Sequence, residues 1–392
     1  MTIDFRKRTD SPLIIKLPNS KSLMIRYLMY YYVQKKTILP ISDHEANDVL
    51  LVHRNLQILD KCRNLTDYVT IDVEDCGAAF RFFLPILATT PGNWMLTGTD
   101  RLLMRPITPL VEALQTIGAD ITVKKEGIFV TGKELHAAKM TIDSQKSSQF
   151  ASALLLSSSK VGLEKLEIIP DNPPSSQYIE MTRSVMDGIN KNTLSISDIE
   201  ADWSSALFWY CYVALSPGSS VTLPNLKADS RQSDSIIAQW FEKLNVCTEF
   251  DGKSALLTNK KRVFADSRFE FDLRNNPDTA PLLSVLSICL QKSFILAGIE
   301  NLNQKESRRS DIIIQGLAPF AHIKYSEEQG FMEINPHIFP EKRHLKFKSH
   351  NDHRIIMAFS LFSLYNIVEF DAVDAVKKSY PAFFNDLSKA QF

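Results

Sequence analysis

The amino-acid sequence predicts a mixed protein of α/β or α+β layers, large enough for two domains. Three observations predict it. The chain has 392 residues, 44% of them hydrophobic, which is material for more than one core. Amphipathic helices alternate throughout with β-branched strands. The two alternate as a recurring unit: a helix, a strand, a tight turn and a return strand.

The clearest copy runs from Pro109 to Gly132. Leu110, Leu114 and Ile117 mark its helix, Asp120-Ile121-Thr122-Val123 its first strand, Glu126-Gly127 its turn and Ile128-Phe129-Val130 its return strand. The same order recurs in Ile236 to Leu257 around Asp251-Gly252, and in Ile312 to Ile334 around Gln329-Gly330. Fainter echoes lie at Asn47 to Val73 and Met181 to Ile196. Their irregular spacing describes a folding unit repeated with insertions, not a stacked solenoid. No Gly/Ser-rich or Pro-rich linker divides the chain, so composition sets no domain boundary.

Several segments join helix starts to chemistry. Leu17-Pro18-Asn19-Ser20-Lys21-Ser22 is a polar turn running into an apolar helix that extends towards Tyr32. Backbone amides at such a start, with Lys21 and Ser22 beside them, can hold phosphate. Arg26, about one turn beyond Ser22, can face the same ligand. A capped helix with solvated charges fits that segment equally well. A P-loop does not, because its two glycines would fall at Ile15 and Ser20. Ser42-Asp43-His44-Glu45 fits an S-x-x-E capping box ahead of Val49, Leu50 and Leu51, and predicts a helix start there.

In Asp75-Cys76-Gly77-Ala78-Ala79-Phe80-Arg81 a glycine follows a strand and opens a helix, which lets backbone approach an anion. Leu96-Thr97-Gly98 leads to Arg105-Pro106-Ile107, an arginine ahead of a helix-opening proline. Ser147-Ser148-Gln149 offers hydroxyls and an amide just before an apolar run. Further on stand Asn276-Pro277-Asp278, Asn301 with Lys305-Glu306-Ser307-Arg308-Arg309, Asn351-Asp352-His353-Arg354 and Lys377-Lys378-Ser379-Tyr380-Pro381. Each alone reads as a charged loop. Together they set carboxylates and repeated cations at element starts in a chain whose Lys plus Arg and Asp plus Glu are equal, at 45 each.

That neutrality gives no global field to draw the chain to nucleic acid or an acidic membrane, so neither is expected as a partner. Five scattered cysteines without a CxxC spacing argue against disulfides and structural zinc. The stretch Met1 to Arg8 leads into Thr9-Asp10-Ser11-Pro12 without the apolar segment of a signal peptide. The longest apolar stretch, around Ala206 to Leu215, is short of the roughly 20 residues that span a bilayer. A cytoplasmic location is expected.

In order, from Leu17 to about Phe384, these segments resemble the motif series of the 5-enolpyruvylshikimate-3-phosphate synthase family. Lys21, Ser22 and Arg26 fall on its S-K-S-x-x-x-R element, Gly77 and Arg81 on its glycine-rich phosphate turn, and Arg105 on its R-P-I element. Ser147-Ser148-Gln149 matches S-S-Q, Ser175 and Tyr178 match S-x-x-Y, and Asp278 matches P-D. Asn301, Lys305, Glu306 and Arg309 fall on N-x-x-x-K-E-x-x-R, Arg354 on N-D-H-R and Lys378 on K-[ST]-[FY]-P.

The resemblance implies an enolpyruvyl transferase-like fold of two domains, each of three βαβαββ units, with the active site in the cleft between them. One domain, 18–202, would be inserted into the other, 1–17 with 203–392. It also implies transfer of the enolpyruvyl group of phosphoenolpyruvate to the 5-hydroxyl of shikimate 3-phosphate, a step of aromatic amino-acid biosynthesis. Shikimate 3-phosphate would meet Lys21, Ser22, Arg26, Ser147, Ser148, Gln149, Ser175, Tyr178, Asp278, Asn301 and Lys305. Phosphoenolpyruvate would meet Lys21, Gly77, Arg105, Gln149, Arg309, Arg354 and Lys378. Asp278 would act as base towards the hydroxyl, with Glu306 and Lys21 as proton carriers. No metal or organic cofactor is implied, and a monomer is expected.

The chain departs from the family pattern at Met24-Ile25, Asp75, Ala78 and Arg308. Asp75 and Arg308, opposite in sign, are expected to compensate each other. Two other functions compete: a non-catalytic relative that binds a shikimate-like ligand, and a transferase acting on UDP-N-acetylglucosamine. None of the five cysteines stands in the G-x-C context of the latter's reactive loop.

Overall fold

Gly127, Gly252 and Gly330 hold φ values of +154°, +83° and +57° at the three predicted turns, a region that side chains other than glycine seldom enter. Each turn closes an antiparallel hairpin: Asp120–Lys124 with Gly127–Gly132, Val246–Phe250 with Ser254–Asn259, and Ala321–Ser326 with Phe331–Pro336. The computed structural model describes residues 1–4, 12–62, 65–260, 266–339, 341 and 343–390. The charged stretch Arg6-Lys7-Arg8 lies outside them.

Each hairpin completes a four-stranded sheet with two parallel strands that precede it. In one copy, strand Tyr68–Asp72, helix Gly77–Ala88, parallel strand Gly92–Thr97 and helix Thr108–Thr116 lead into the first hairpin. Strand Arg268–Asp272, helix Ala280–Leu290, strand Ser293–Ala297 and helix Arg309–Leu317 lead into the third. The middle hairpin pairs with Ser220–Pro224, which pairs in parallel with Leu13–Ile14. These are three complete βαβαββ copies.

Two further copies are shortened among the described residues. Parallel strands His344–Phe347 and Ile367–Phe370 are completed by the N-terminal strand Thr2–Asp4. Parallel strands Lys139–Asp143 and Lys165–Ile169 form a sheet of two. The helix Gln177–Asn190 that follows them runs into a 3₁₀ turn at Ile196–Asp198, so the echo at Met181 to Ile196 contains no hairpin. The echo at Asn47 to Val73 supplies helix Asn47–Lys61 and strand Tyr68–Asp72.

The chain divides into two compact units, Met1–Ser20 with Glu200–Phe392, and Lys21–Ile199. Each has its own hydrophobic core. In the first, all twelve residues of helix Trp203–Ala214 are buried, because the helix is apolar on every face and must run through a core. In the second, Gly77–Ala88 has the same character. The first unit carries both chain crossings on paired backbone: Ser20 N donates to Glu200 O at 2.8 Å and Asp202 N to Pro18 O at 3.0 Å.

The predicted capping box does not form. Helix Asn47–Lys61 begins after Ala46, and Ser42 Oγ instead accepts from His44 N within a preceding turn. Glu45 N closes that turn on Ser42 O at 3.3 Å, Ala46 alone is extended before the chain turns helical, and Asp48 provides the acidic first turn. Among the described residues no helix is long and apolar enough to cross a membrane.

Candidate active site

In unit Lys21–Ile199 the first turns of four helices are tied together. Arg26 does much of the tying: Nε donates to Thr182 Oγ1 at 2.8 Å, Nη1 to Ser22 O at 2.9 Å and Nη2 to Tyr178 O at 3.4 Å. Thr182 Oγ1 passes a hydrogen bond to Ser152 Oγ at 2.9 Å. This joins the start of helix Lys21–Lys35 to those of Gln177–Asn190 and Gln149–Leu156. The guanidinium also lies over the rings of Phe82 and Tyr178. Burial pushes its pKa down to about 10, against the raising effect of Tyr178.

Arg81 ties in the fourth helix. Nη1 donates to Gly77 O at 2.9 Å, Nη2 to Pro106 O at 2.8 Å, and the guanidinium lies over Phe150. Arg81 is 2% exposed, so it shapes the turn at Gly77 from behind. Pinning Pro106 lays the neighbouring Arg105 guanidinium flat on Gly77. A Cβ at Gly77 would stand 2.6 Å from Arg105 Nη1 and 2.9 Å from its Cζ. Converging helix starts bring positive dipole ends to one place, which is anion-binding geometry.

Ser147 Oγ accepts from Gln149 N at 3.3 Å, and Ser148 precedes the helix that Gln149 opens. Ser175 sits at φ +61° two residues before helix Gln177–Asn190, a left-handed conformation that costs a serine energy. Gln149 Oε1 and Arg105 Nε are buried without a hydrogen-bond partner, leaving desolvated polarity for a polar ligand to satisfy. Lys21 Nζ meets Asp48 Oδ2 at 3.0 Å.

The other unit carries a second cluster, built on Arg309. Its Nη1 donates to Asp278 Oδ1, its Nη2 to Glu306 Oε2 and its Nε to Asp352 Oδ2, each at 2.8 Å, and Nη2 also reaches Asp352 Oδ1 at 3.2 Å. Four bonds occupy a fork of five donors. Burial opposes the charge on Arg309, but Asp352, Glu306 and Asp278 outweigh it and hold the guanidinium firmly protonated. Lys305 adds a bridge to Asp278 at 3.2 Å, and Lys378 one to Glu306 at 3.6 Å. Burial also opposes the charge on Asp278, yet Lys305, Arg309 and Arg354 hold its carboxyl well below the usual carboxylate range.

Each partner is delivered by a local rule of chain folding. Asp278 lies in the 3₁₀ turn before an apolar helix, Arg309 is the first residue of its helix, and Asp352 caps helix His353–Ser360 by accepting from Arg354 N at 2.9 Å. Arg354 Nη1 donates to Ser204 O at 3.3 Å, while its Nε is buried without a partner. Asn301 precedes the short turn Leu302–Gln304 just ahead of Lys305, its carbonyl accepting from Gln304 N at 3.1 Å.

The family model for EPSP synthase (3-phosphoshikimate 1-carboxyvinyltransferase) matches residues 37–387. The chain belongs to the EPSP synthase family. Among EPSP synthase relatives, two proteins of Bacteroides fragilis named 3-phosphoshikimate 1-carboxyvinyltransferase are 30% and 31% identical to it, over 96% of this chain and 95% of theirs. One from Pyrococcus abyssi is 30% identical over 81% of this chain and 78% of its own. A solved EPSP synthase structure from Acinetobacter baumannii superposes with a TM-score of 0.70, at 16% identity, covering 100% of this chain and 98% of that one. The last likeness bears on the fold alone.

Sequence reasoning missed three carboxylates of this EPSP synthase family member. Asp352 was visible only as part of N-D-H-R. Asp48 was passed over as a helix residue. Asp234 is buried, accepts from Ser204 Oγ and, at 2.6 Å, from Asn276 Nδ2, and has its carboxyl pushed up by burial. Their signal is spatial, since the partners lie 27 to 45 residues away in the chain. The departures from the family pattern are also placed. Met24 and Ile25 are each 1% exposed in the core. Arg308, at the cap position of helix Arg309–Leu317, pairs with Asp311 of that helix at 2.5 Å in an exposed ion pair.

Proposed function

We propose that this chain transfers the enolpyruvyl group of phosphoenolpyruvate to the 5-hydroxyl of shikimate 3-phosphate and releases phosphate, as a cytoplasmic, monomeric enzyme of aromatic amino-acid biosynthesis. The observation that carries the reading is the pair of carboxylates, Asp278 and Glu306, held on one buried guanidinium with Lys305 and Lys378 alongside. A reaction that removes a proton from a hydroxyl and adds one to carbon needs two proton-handling groups kept apart in role.

Shikimate 3-phosphate is assigned to Lys21, Ser22, Arg26, Ser147, Ser148, Gln149, Ser175 and Tyr178, with Asp278, Asn301 and Lys305. Phosphoenolpyruvate is assigned to Lys21, Gly77, Arg105 and Gln149, with Arg309, Arg354 and Lys378. Arg309 acts mainly by orienting Asp278 and Glu306, because most of its fork already serves carboxylates. Asp278, held ionised by Lys305 and Arg309, is first an acceptor for the substrate hydroxyl. It becomes a stronger base as ligand anions draw Lys305 away. Glu306 and Lys21 carry the second proton.

Incubation of the purified protein with both substrates, following phosphate release, tests the reading. Release that requires shikimate 3-phosphate supports it. Tight binding of shikimate 3-phosphate without release would mark a non-catalytic relative, and release with UDP-N-acetylglucosamine would assign the other transferase.

A further inference from the structure

Asp48 lies outside every motif that assigned a role, yet it is the carboxylate that touches Lys21. It sits at the second position of helix Asn47–Lys61, is 5% exposed, and its Oδ2 lies 3.0 Å from Lys21 Nζ. Lys21 opens helix Lys21–Lys35 and keeps 17% of its side-chain surface open. A lysine carries four rotatable bonds and a point charge, so an ammonium at a site is poorly placed unless something fixes its end.

We propose that Asp48 is the positioning residue that fixes the ammonium of Lys21 and keeps it charged for its anionic substrates. The inference rests on the assignment of Lys21 to the site. Two features suit Asp48 to the task. Its own charge is balanced by the positive end of the helix it stands on, so it need not be neutralised by Lys21 alone. Its burial restricts the carboxylate, which makes the anchor stiffer than a surface ion pair. On the elements packed against helix Lys21–Lys35, the charged and titratable groups of the first turns are Asp48, Arg81 of Gly77–Ala88, Lys160 of Ser158–Val161, and Tyr178 and Glu180 of Gln177–Asn190; Arg26 shares the helix of Lys21. Asp48 is the carboxylate among them that reaches the ammonium.

An opposite charge this close favours the charged form of an amine. Without it, Lys21 loses its proton at lower pH, and activity falls with it. A merely structural ion pair would change melting temperature and leave the pH profile in place.

The test measures kcat and kcat/KM for phosphoenolpyruvate across pH in the full-length chain, for wild type, Asp48→Asn, Asp48→Glu and Lys21→Met. For Asp48→Asn we expect kcat/KM to fall on the order of tenfold to a hundredfold, the scale on which misplacing a positioned group acts. The alkaline limb should move to lower pH. Asp48→Glu should keep the alkaline limb, since the charge remains, at a reduced kcat. If Lys21→Met abolishes turnover while Asp48→Asn leaves both kcat/KM and the alkaline limb at wild type, the positioning role is overturned and the site stands. If Lys21→Met itself keeps full turnover, the site assignment fails and takes the proposal with it. Should Asp48→Asn not fold, Asp48→Glu decides: wild-type kcat there overturns the proposal, because a carboxylate moved by one methylene must move the ammonium.

Discussion

At the scale of single residues the sharpest consequence comes from Gly77. An added Cβ would stand inside contact distance of Arg105 Nη1, Nη2 and Cζ, and the obstacle is a mobile guanidinium, so the chain can fold by giving it up. Gly77→Ala is expected to melt within a few degrees of wild type while KM for phosphoenolpyruvate rises about tenfold, the loss of one charge-assisted contact. Unchanged KM would show that Arg105 does not serve that ligand. Asp278 gives a pH test. Its folded pKa is depressed, so its stabilisation is fully present above the unfolded carboxylate value of about 4 and is lost as pH falls through the folded one. Asp278→Asn should therefore lower the melting temperature at pH 6, and the difference from wild type should narrow by pH 3. A gap that stays constant would remove Asp278 from the ion-pair cluster.

At the scale of elements the cluster round Arg309 is a device for setting helix starts. The same guanidinium that opens helix Arg309–Leu317 holds Asp352, the cap of helix His353–Ser360, which is 0% exposed. Arg309→Met should cost about 3–5 kcal/mol, because it leaves a buried carboxylate without its partner. Adding Asp352→Asn should recover part of that loss in chemical denaturation, and additive losses would show that the two do not share one network. These elements also show what a sequence can disclose. The hairpins at Gly127, Gly252 and Gly330 were legible because period and turn chemistry are local. The helix starts that carry Lys21, Gly77, Gln149 and Arg309 were legible for the same reason. Arg26 bonding Thr182, 156 residues on, and Arg309 bonding Asp352, 43 residues on, were not, since a long-range hydrogen bond or ion pair leaves no mark in the spacing of either partner. The box at Ser42 to Glu45 misled because its four residues satisfy the pattern while a nearby turn claims the serine.

At the scale of the whole molecule, the two units differ in how the chain builds them. Lys21–Ile199 is one continuous stretch, whereas the other unit is assembled from Met1–Ser20 and Glu200–Phe392. The continuous unit owns a core that includes Phe80, Phe82, Phe83 and Trp94, and the hydrogen bonds of Arg26, Arg81 and Thr182 that tie its helix starts join residues within 21–199. Burial of each such aromatic or aliphatic side chain contributes about 1.5–3 kcal/mol, and a domain of this size buries enough of them to outweigh chain entropy. A fragment spanning 21–199 should therefore fold by itself and melt cooperatively. It should still bind shikimate 3-phosphate, more weakly than the full chain, because Asp278, Asn301 and Lys305 are absent from it. Calorimetric titration of the fragment measures this directly. A fragment that melts cooperatively but shows no heat with shikimate 3-phosphate would move the main binding energy for that substrate onto the Asp278 cluster. An unfolded fragment would mean that the core of Lys21–Ile199 depends on the rest of the chain.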